Sequence, residues 1–256
     1  MKRTKILFAL ILSIMCFGHF TFAQEGQTIK MIDGKTVDEI IQEYEWWSGM
    51  SDDWPNLARY REDNARLKAP APGENRVVFM GNSITEGWIY TCPEYFEGKP
   101  YIDRGISGQT TPQMLVRFRQ DVIDLKPAVV VLLCGINDIA ENTGPSTLEM
   151  IEGNITSMVE LAKANGIKVV MCSVLPAYDF PWRPGLEPAE KVVALNKWIK
   201  AYAAENGHIY LDYFSSMADK NNAMKAEYSE DGVHPNKAGY LVMEGLLDKV
   251  LGKIFE

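Results

Sequence analysis

Histidine and cysteine are scarce in this chain of 256 residues, which holds three of the former and four of the latter. Neither a C-x-x-C pair nor any other ligand-spaced cluster occurs among them, which argues against a zinc centre or a metal-dependent reaction. Positive charge is also in short supply. Lys and Arg number 26 against 34 Asp and Glu, for a formal net charge of −8. That balance repels phosphate backbones and anionic headgroups, so neither nucleic acid nor a membrane surface is an expected partner. Internal repeats and low-complexity tracts are absent. With 46% hydrophobic and 23% charged residues, the chain has the material for one globular domain with an ample core.

The one long apolar run lies at the start. Residues 1–23, MKRTKILFALILSIMCFGHFTFA, combine three basic residues, an apolar stretch too short for a comfortable membrane span, and small residues at Thr21 and Ala23. This is the pattern of an export signal cut after Ala23, which places the mature protein in the periplasm or outside the cell. Met15 before Cys16 is not the small residue that a lipoprotein cleavage site needs. Cleavage removes Lys2, Arg3 and Lys5 and no acid, so the charge falls from −8 to −11. It also leaves Cys92, Cys134 and Cys172, an odd count; two of these sit in apolar runs, so buried thiols are expected and no essential disulfide.

Residues 24–75 read as an N-terminal extension, with helix-like stretches TVDEIIQEYEWW and WPNLARYREDNARL and a turn-rich linker, APAPGENR. From 76 to 256 the pattern alternates regularly. RVVFM, YIDRGI, AVVVLLC, IKVVMCSVLP and HIYLDYF read as strands, each followed by a helical stretch, the last being KAGYLVMEGLLDKVLGKIF. Short Val-rich strands that are apolar on both faces, alternating with amphipathic helices, predict a mainly parallel five-stranded sheet inside a three-layer α/β/α sandwich. Ligands of such sheets bind beyond the carboxyl ends of the strands.

Four short stretches sit at those ends or in loops: Gly81-Asn82-Ser83, the DRGISGQTT run with Gly105 and Gly108, Gly135-Ile136-Asn137-Asp138, and Asp231-Gly232-Val233-His234-Pro235. A serine hydroxyl becomes a nucleophile when a base takes its proton, and imidazole is the natural base near neutral pH. His19 leaves with the leader, and His208 lies at the amino end of the fifth strand, away from the other stretches. His234 remains. Asp231, three residues earlier, is placed to orient it, with Asp212 at the end of the fifth strand as a rival acid. The Ser83 and Gly108 backbone N–H groups and the Asn137 amide are candidate donors to an oxyanion.

These blocks resemble those of the SGNH or GDSL hydrolase family: GNSIT its serine block, DRGISGQTT its glycine block, GIND its asparagine block and DGVHP its aspartate and histidine block. The resemblance spans roughly residues 76–253. It implies a flavodoxin-like sandwich, hydrolysis of acyl esters without metal or cofactor, and roles for Ser83, Asp231, His234, Gly108 and Asn137 as above. Within the family the chain looks most like the platelet-activating-factor acetylhydrolase-like and carbohydrate acetylesterase branches. Asn82 departs from the aspartate in the family's name. The other large serine-hydrolase fold is disfavoured, because Gly81-Asn82-Ser83-Ile84-Thr85 lacks the second glycine of G-x-S-x-G.

The expected substrate is a small ester, an O-acetylated carbohydrate above all. Trp88, five residues after the serine, and Trp182, in the loop AYDFPWRPGLEP, are candidate sugar-binding aromatics. A lysophospholipase or thioesterase accepting longer chains is the alternative within the class. A catalytically silent carbohydrate-binding module is the alternative outside it. The oligomeric state is not legible.

Overall fold

A computed structural model of the chain describes residues 52–256 and the single positions 36, 39 and 41. The expected leader at 1–23 and the helix-like stretch from 36 to 47 lie outside the continuously described residues. The chain divides into two compact units, Met1–Trp54 and Pro55–Glu256. In the first, the Thr36 hydroxyl donates to the Glu39 carboxylate at 2.8 Å.

In the second unit, five strands run β1 (Val77–Gly81), β2 (Tyr101–Gly105), β3 (Val129–Leu132), β4 (Lys168–Cys172) and β5 (Ile209–Leu211). All four pairings are parallel, and the order across the sheet is β2-β1-β3-β4-β5. Helices cover the sheet: α1 (Arg61–Arg66), α2 (Ser83–Thr91), α3 (Thr111–Asp121), α4 (Ile136–Ile139), α5 (Leu148–Ala164), α6 (Ala189–Asn206), α7 (Phe214–Met217) and α8 (Lys237–Phe255). This is the expected sandwich in its flavodoxin-like order. β1 and β3 are neighbours in the sheet but not in the chain, and in open parallel sheets it is beyond the carboxyl ends of such a strand pair that ligands bind.

Every side chain of β1 and β3 is buried, because each strand lies under helices on both faces. Apolar contact on two faces, rather than alternation, therefore sets their composition. Cys92, Cys134 and Cys172 are buried and free. One N-terminal expectation needs revising. The compact unit Pro55–Glu256 takes in residues 55–75 along with the alternating region, and only Arg61–Arg66 of the stretch 54–67 is helical. Asn56 takes a left-handed backbone (φ 55°), and turns fill 57–60, so the helix starts late.

One packing arrangement positions everything that follows. Trp88 on α2 is 2% exposed and stacks on Tyr95 and on Tyr240 of α8, each with ring centres 5.4 Å apart. Its indole N–H donates to Glu244 at 3.0 Å, and the Tyr240 hydroxyl donates to the Ile84 carbonyl at 2.8 Å. Two helices distant in sequence are thereby locked together. Trp88→Ala should cost about 3–5 kcal/mol, as for other large-to-small aromatic replacements in cores; urea unfolding at fixed pH measures it, and a loss below about 1 kcal/mol would show that the cluster contributes little.

Candidate active site

The nucleophile candidate sits where β1 turns into α2. The Asn82 side chain accepts a hydrogen bond from Ile84 N at 3.1 Å and so caps the helix. The turn is tight enough to constrain its neighbours. A Cβ on Gly105, at the end of β2, would lie 2.1 Å from Glu86 N and 2.8 Å from Asn82 O, so only glycine lets β2 end beside this turn.

Ser83 Oγ lies 2.9 Å from His234 Nε2, and His234 Nδ1 lies 2.7 Å from Asp231 Oδ2. The loop holding the last two closes on itself. Asp231 Oδ1 accepts from the backbone N–H of Val233 (2.9 Å) and His234 (2.8 Å) and from the Ser229 hydroxyl (3.1 Å). A bridge between Ser229 and Pro235 shuts the base of the loop, and Asn236 then caps α8. Burial alone would raise the pKa of Asp231. The bonds from the His234 ring and from the His234 and Val233 backbone outweigh it and hold the carboxyl at about 2.

Asp212, the rival acid, is engaged elsewhere: its carboxylate accepts from Ser215 N (2.9 Å) and Ser215 Oγ (2.8 Å). His208 stacks on Tyr202, with ring centres 6.4 Å apart, at the amino end of β5. Neither belongs to this cluster.

The loops of the donor candidates are linked through Gln109 and Arg117, which the sequence patterns do not single out. Asn137 Nδ2 donates to the Gln109 carbonyl at 3.0 Å, which takes one of the two amide hydrogens and fixes the plane of the other. The Gln109 side-chain oxygen accepts from Arg117 Nε at 2.5 Å, while Arg117 Nη2 donates to the Gly81 carbonyl at 2.9 Å. Arg117 is fully buried and is compensated by Asp121 at 3.1 Å. A single guanidinium thus joins the end of β1 to the loop of Gly108. Gly108 has φ +76°, and nothing lies within 4 Å of where its Cβ would stand. Asp138 accepts from Thr111 N (3.0 Å) and Thr111 Oγ1 (2.6 Å), which ties the third loop to the start of α3. The sequence signal available for Arg117 was an arginine on an otherwise buried helical face.

The two tryptophan candidates separate. Trp182 is 45% exposed, with its ring centre 5.9 Å from that of His234. Its indole N–H donates to Asn142 Oδ1 at 3.2 Å, and Asn142 Nδ2 reaches the Gly108 carbonyl at 3.4 Å. Trp88 is a correction. It is buried among Phe79, Tyr95, Phe96 and Tyr240 and lines no cleft. Five positions along a helix rotate a side chain by about 140°, which turns Trp88 away from the Ser83 face and toward the sheet.

A serine, an imidazole and a carboxylate in hydrogen-bonded series at the carboxyl edge of a parallel sheet form the arrangement of serine hydrolases. The chain belongs to the GDSL-like lipase/acylhydrolase family, whose model matches residues 79–242, and is by class a carboxylic ester hydrolase. A candidate acylhydrolase from Bacteroides fragilis, known from its crystal structure, is 52% identical with a TM-score of 0.78, over 79% of this chain and 99% of that one. Esterase TesA of Pseudomonas aeruginosa is 27% identical over 169 residues, 64% of this chain and 77% of that protein. YqeF, an uncharacterised lipoprotein of Bacillus subtilis, is 26% identical over 124 residues, 42% of this chain and only 51% of that protein. Among the described residues no group of three or more His, Cys, Asp or Glu is placed to hold a metal ion, and no helix is long and apolar enough to cross a membrane.

Asp103, beneath the site on β2, gives a pH-dependent signature. Burial raises its pKa to about 7, against the bond from Gly105 N. A carboxyl whose folded pKa is raised adds stability below its unfolded pKa of about 3.9, and that contribution is lost as pH rises through the folded pKa. Asp103→Asn should therefore flatten a decline in stability between about pH 4 and 7. Urea midpoints of the two proteins at pH 5 and pH 8 test this; equal pH dependence in both would contradict it.

Proposed function

We propose that the protein is an exported serine esterase that removes short acyl groups, acetyl above all, from carbohydrate through an acyl-enzyme intermediate. The observation that carries the mechanism is the series Asp231 Oδ2, His234 and Ser83 Oγ, with contacts of 2.7 Å and 2.9 Å. His234 Nε2 takes the Ser83 proton as Oγ attacks the ester carbonyl. Asp231 keeps the other ring nitrogen protonated and stabilises the imidazolium. The backbone N–H groups of Ser83 and Gly108 and the free hydrogen of the Asn137 amide receive the oxyanion. Collapse of the tetrahedral intermediate expels the alcohol, which takes its proton from His234. Water then repeats the sequence and releases the acid.

Exposure argues for a small acyl group on a bulky polar alcohol. The His234 and Asp231 side chains are 38% and 39% exposed, and the surroundings named above are polar apart from Trp182. A long chain needs apolar walls, at about 0.8 kcal/mol per buried CH₂, to favour it over acetyl. Trp182 stands at the rim with its ring held by Asn142, as a platform for a sugar face should. Arg183 fixes the same loop through the Ala140 and Glu141 carbonyls, at 3.1 and 2.7 Å. The export reading rests on residues 1–23, and the Bacillus subtilis relative is a lipoprotein. Amino-terminal sequencing of the secreted protein should begin at Gln24.

Ser83→Ala should remove hydrolysis of p-nitrophenyl acetate and of acetylated xylo- and other oligosaccharides, by about 10³-fold or more in kcat. Unchanged turnover would reject the nucleophile. Faster cleavage of the octanoate than of the acetate ester would instead favour a long-chain acylhydrolase. Trp182→Ala should raise KM for acetylated oligosaccharides more than for the nitrophenyl ester.

On the acid side, kcat/KM should fall as the base is protonated. Asp231, held at about 2, stays ionised over that range and adds no second proton. The limb should therefore show a slope of one; a profile flat down to about pH 4 would contradict the assignment of His234 as base.

A further inference from the structure

We propose that the segment Pro55–Asn64 is a brace for the loop that carries Gly108, and that Glu86 is the positioning residue through which it reaches that loop. The proposal rests on the serine mechanism above and extends it to residues that touch neither substrate nor reacting atoms.

A glycine has no side chain to anchor, so the direction of the Gly108 N–H is set by the residues on either side. Each of those is held from outside the loop. Glu86 lies three residues after Ser83 on α2. Its Oε2 accepts from Ser107 N at 2.9 Å and from the Ser107 hydroxyl, and its Oε1 accepts from Arg59 Nη2 at 3.1 Å. Burial would raise the pKa of this carboxyl, but Ser107 and Arg59 hold it below its ordinary value. One carboxylate therefore connects the nucleophile's helix, the residue before Gly108 and the N-terminal segment.

The same segment grips the loop on both sides of Ser107. The Tyr60 hydroxyl donates to the Gly105 carbonyl, and Gln109 Nε2 donates to the Pro55 carbonyl at 2.7 Å. Farther down β2, Arg104 donates through Nε (2.9 Å) and Nη2 (2.7 Å) to Asn64 Oδ1, and Asn64 Nδ2 donates to Asp121 at 2.7 Å. Asp121 is the carboxylate that compensates Arg117. The brace and the buried link between Gly81 and Gln109 thus share one framework. A segment serving only as a tether would have no reason to engage residues 105 and 109 directly and residue 107 through Glu86.

Displacing a catalytic donor by about 1 Å costs on the order of 10²-fold in rate. Loosening it through a partner should cost about 10-fold to 100-fold in kcat with little change in KM, because the donor acts on the transition state and not on the bound ester. Arg59→Ala and Glu86→Gln are the test variants. Both should lose affinity for a phenylboronic acid, whose tetrahedral adduct on Ser83 places an oxygen at the oxyanion position, in parallel with kcat. Arg59→Lys should recover part of the loss, and Ser107→Ala should reproduce it. Arg66→Ala is the control: among the described residues Arg66 forms salt bridges with Glu62 and Asp63 of its own helix, and its loss should leave kcat unaltered. The Arg59 side chain is 38% exposed, so its removal leaves the core intact. Turnover retained in Ser83→Ala would overturn the nucleophile and the brace together. Turnover lost in Ser83→Ala, with kcat and boronate affinity within about twofold of wild type in Arg59→Ala and Glu86→Gln, would overturn the brace alone.

Discussion

The bond between Ser83 Oγ and His234 Nε2 joins residues 151 positions apart, and the interface between α2 and α8 makes it possible. Ser83 opens α2, and His234 stands three residues before α8. Neither has freedom to search for the other once Trp88 is stacked on Tyr240 and Tyr240 is bonded to the Ile84 carbonyl. The apolar and aromatic contacts of these helices are therefore a condition of the chemistry. The charges and amides at the sheet edge act only after the core has fixed their separation.

Topology supplies the second condition. In the order β2-β1-β3-β4-β5, the strands that lead to Ser83 and to Asn137 are neighbours, and β2, which leads to Gly108, flanks β1 on its other side. Three loops therefore leave adjacent strands at one edge, and short polar links suffice to connect them. Arg117 is the most economical of these. It is costly to bury, yet its bonds to Gly81, Gln109 and Asp121 use the guanidinium's fixed planar geometry to set two loops against each other. Removing any one partner would leave a buried charge under-satisfied, so the link persists as a unit.

Much of the fold was legible because burial on two faces leaves a plain mark. VVFM and AVVVLL can be little else than central parallel strands, and the loops after them had to emerge at one edge. The placement of Ser83 at that edge follows from the same reasoning, whereas His234 is reached by elimination among three histidines. What escaped notice depends on contacts between distant parts of the chain. Gln109 and Arg117 carry no local pattern that announces a bond between them. Trp88 departs from expectation for a different reason: it is close to the serine along the chain, whereas its helical angle points it into the aromatic cluster. Residues 54–67 read as one helix because their propensities are helical, but tertiary bonds from Pro55, Leu57 and Tyr60 hold the first half in turns.

Asn82 shows how separately the parts of such a site can be assigned. An aspartate there would accept the bond from Ile84 N equally well, so the capping role does not distinguish the two residues. They differ in charge. Asn82 is 1% exposed, and an ionised carboxylate at that depth would carry a desolvation cost that the neutral amide avoids, although the amide leaves its own Nδ2 without a hydrogen-bond partner among the described residues. The neutral amide leaves Asp231, on a solvated loop with three donors of its own besides the His234 ring, as the carboxylate paired with the imidazole. Asparagine at the position that gives the family its aspartate is thus compatible with the hydrogen-bonded series of Asp231, His234 and Ser83, because the helix cap and the carboxylate reside on different segments.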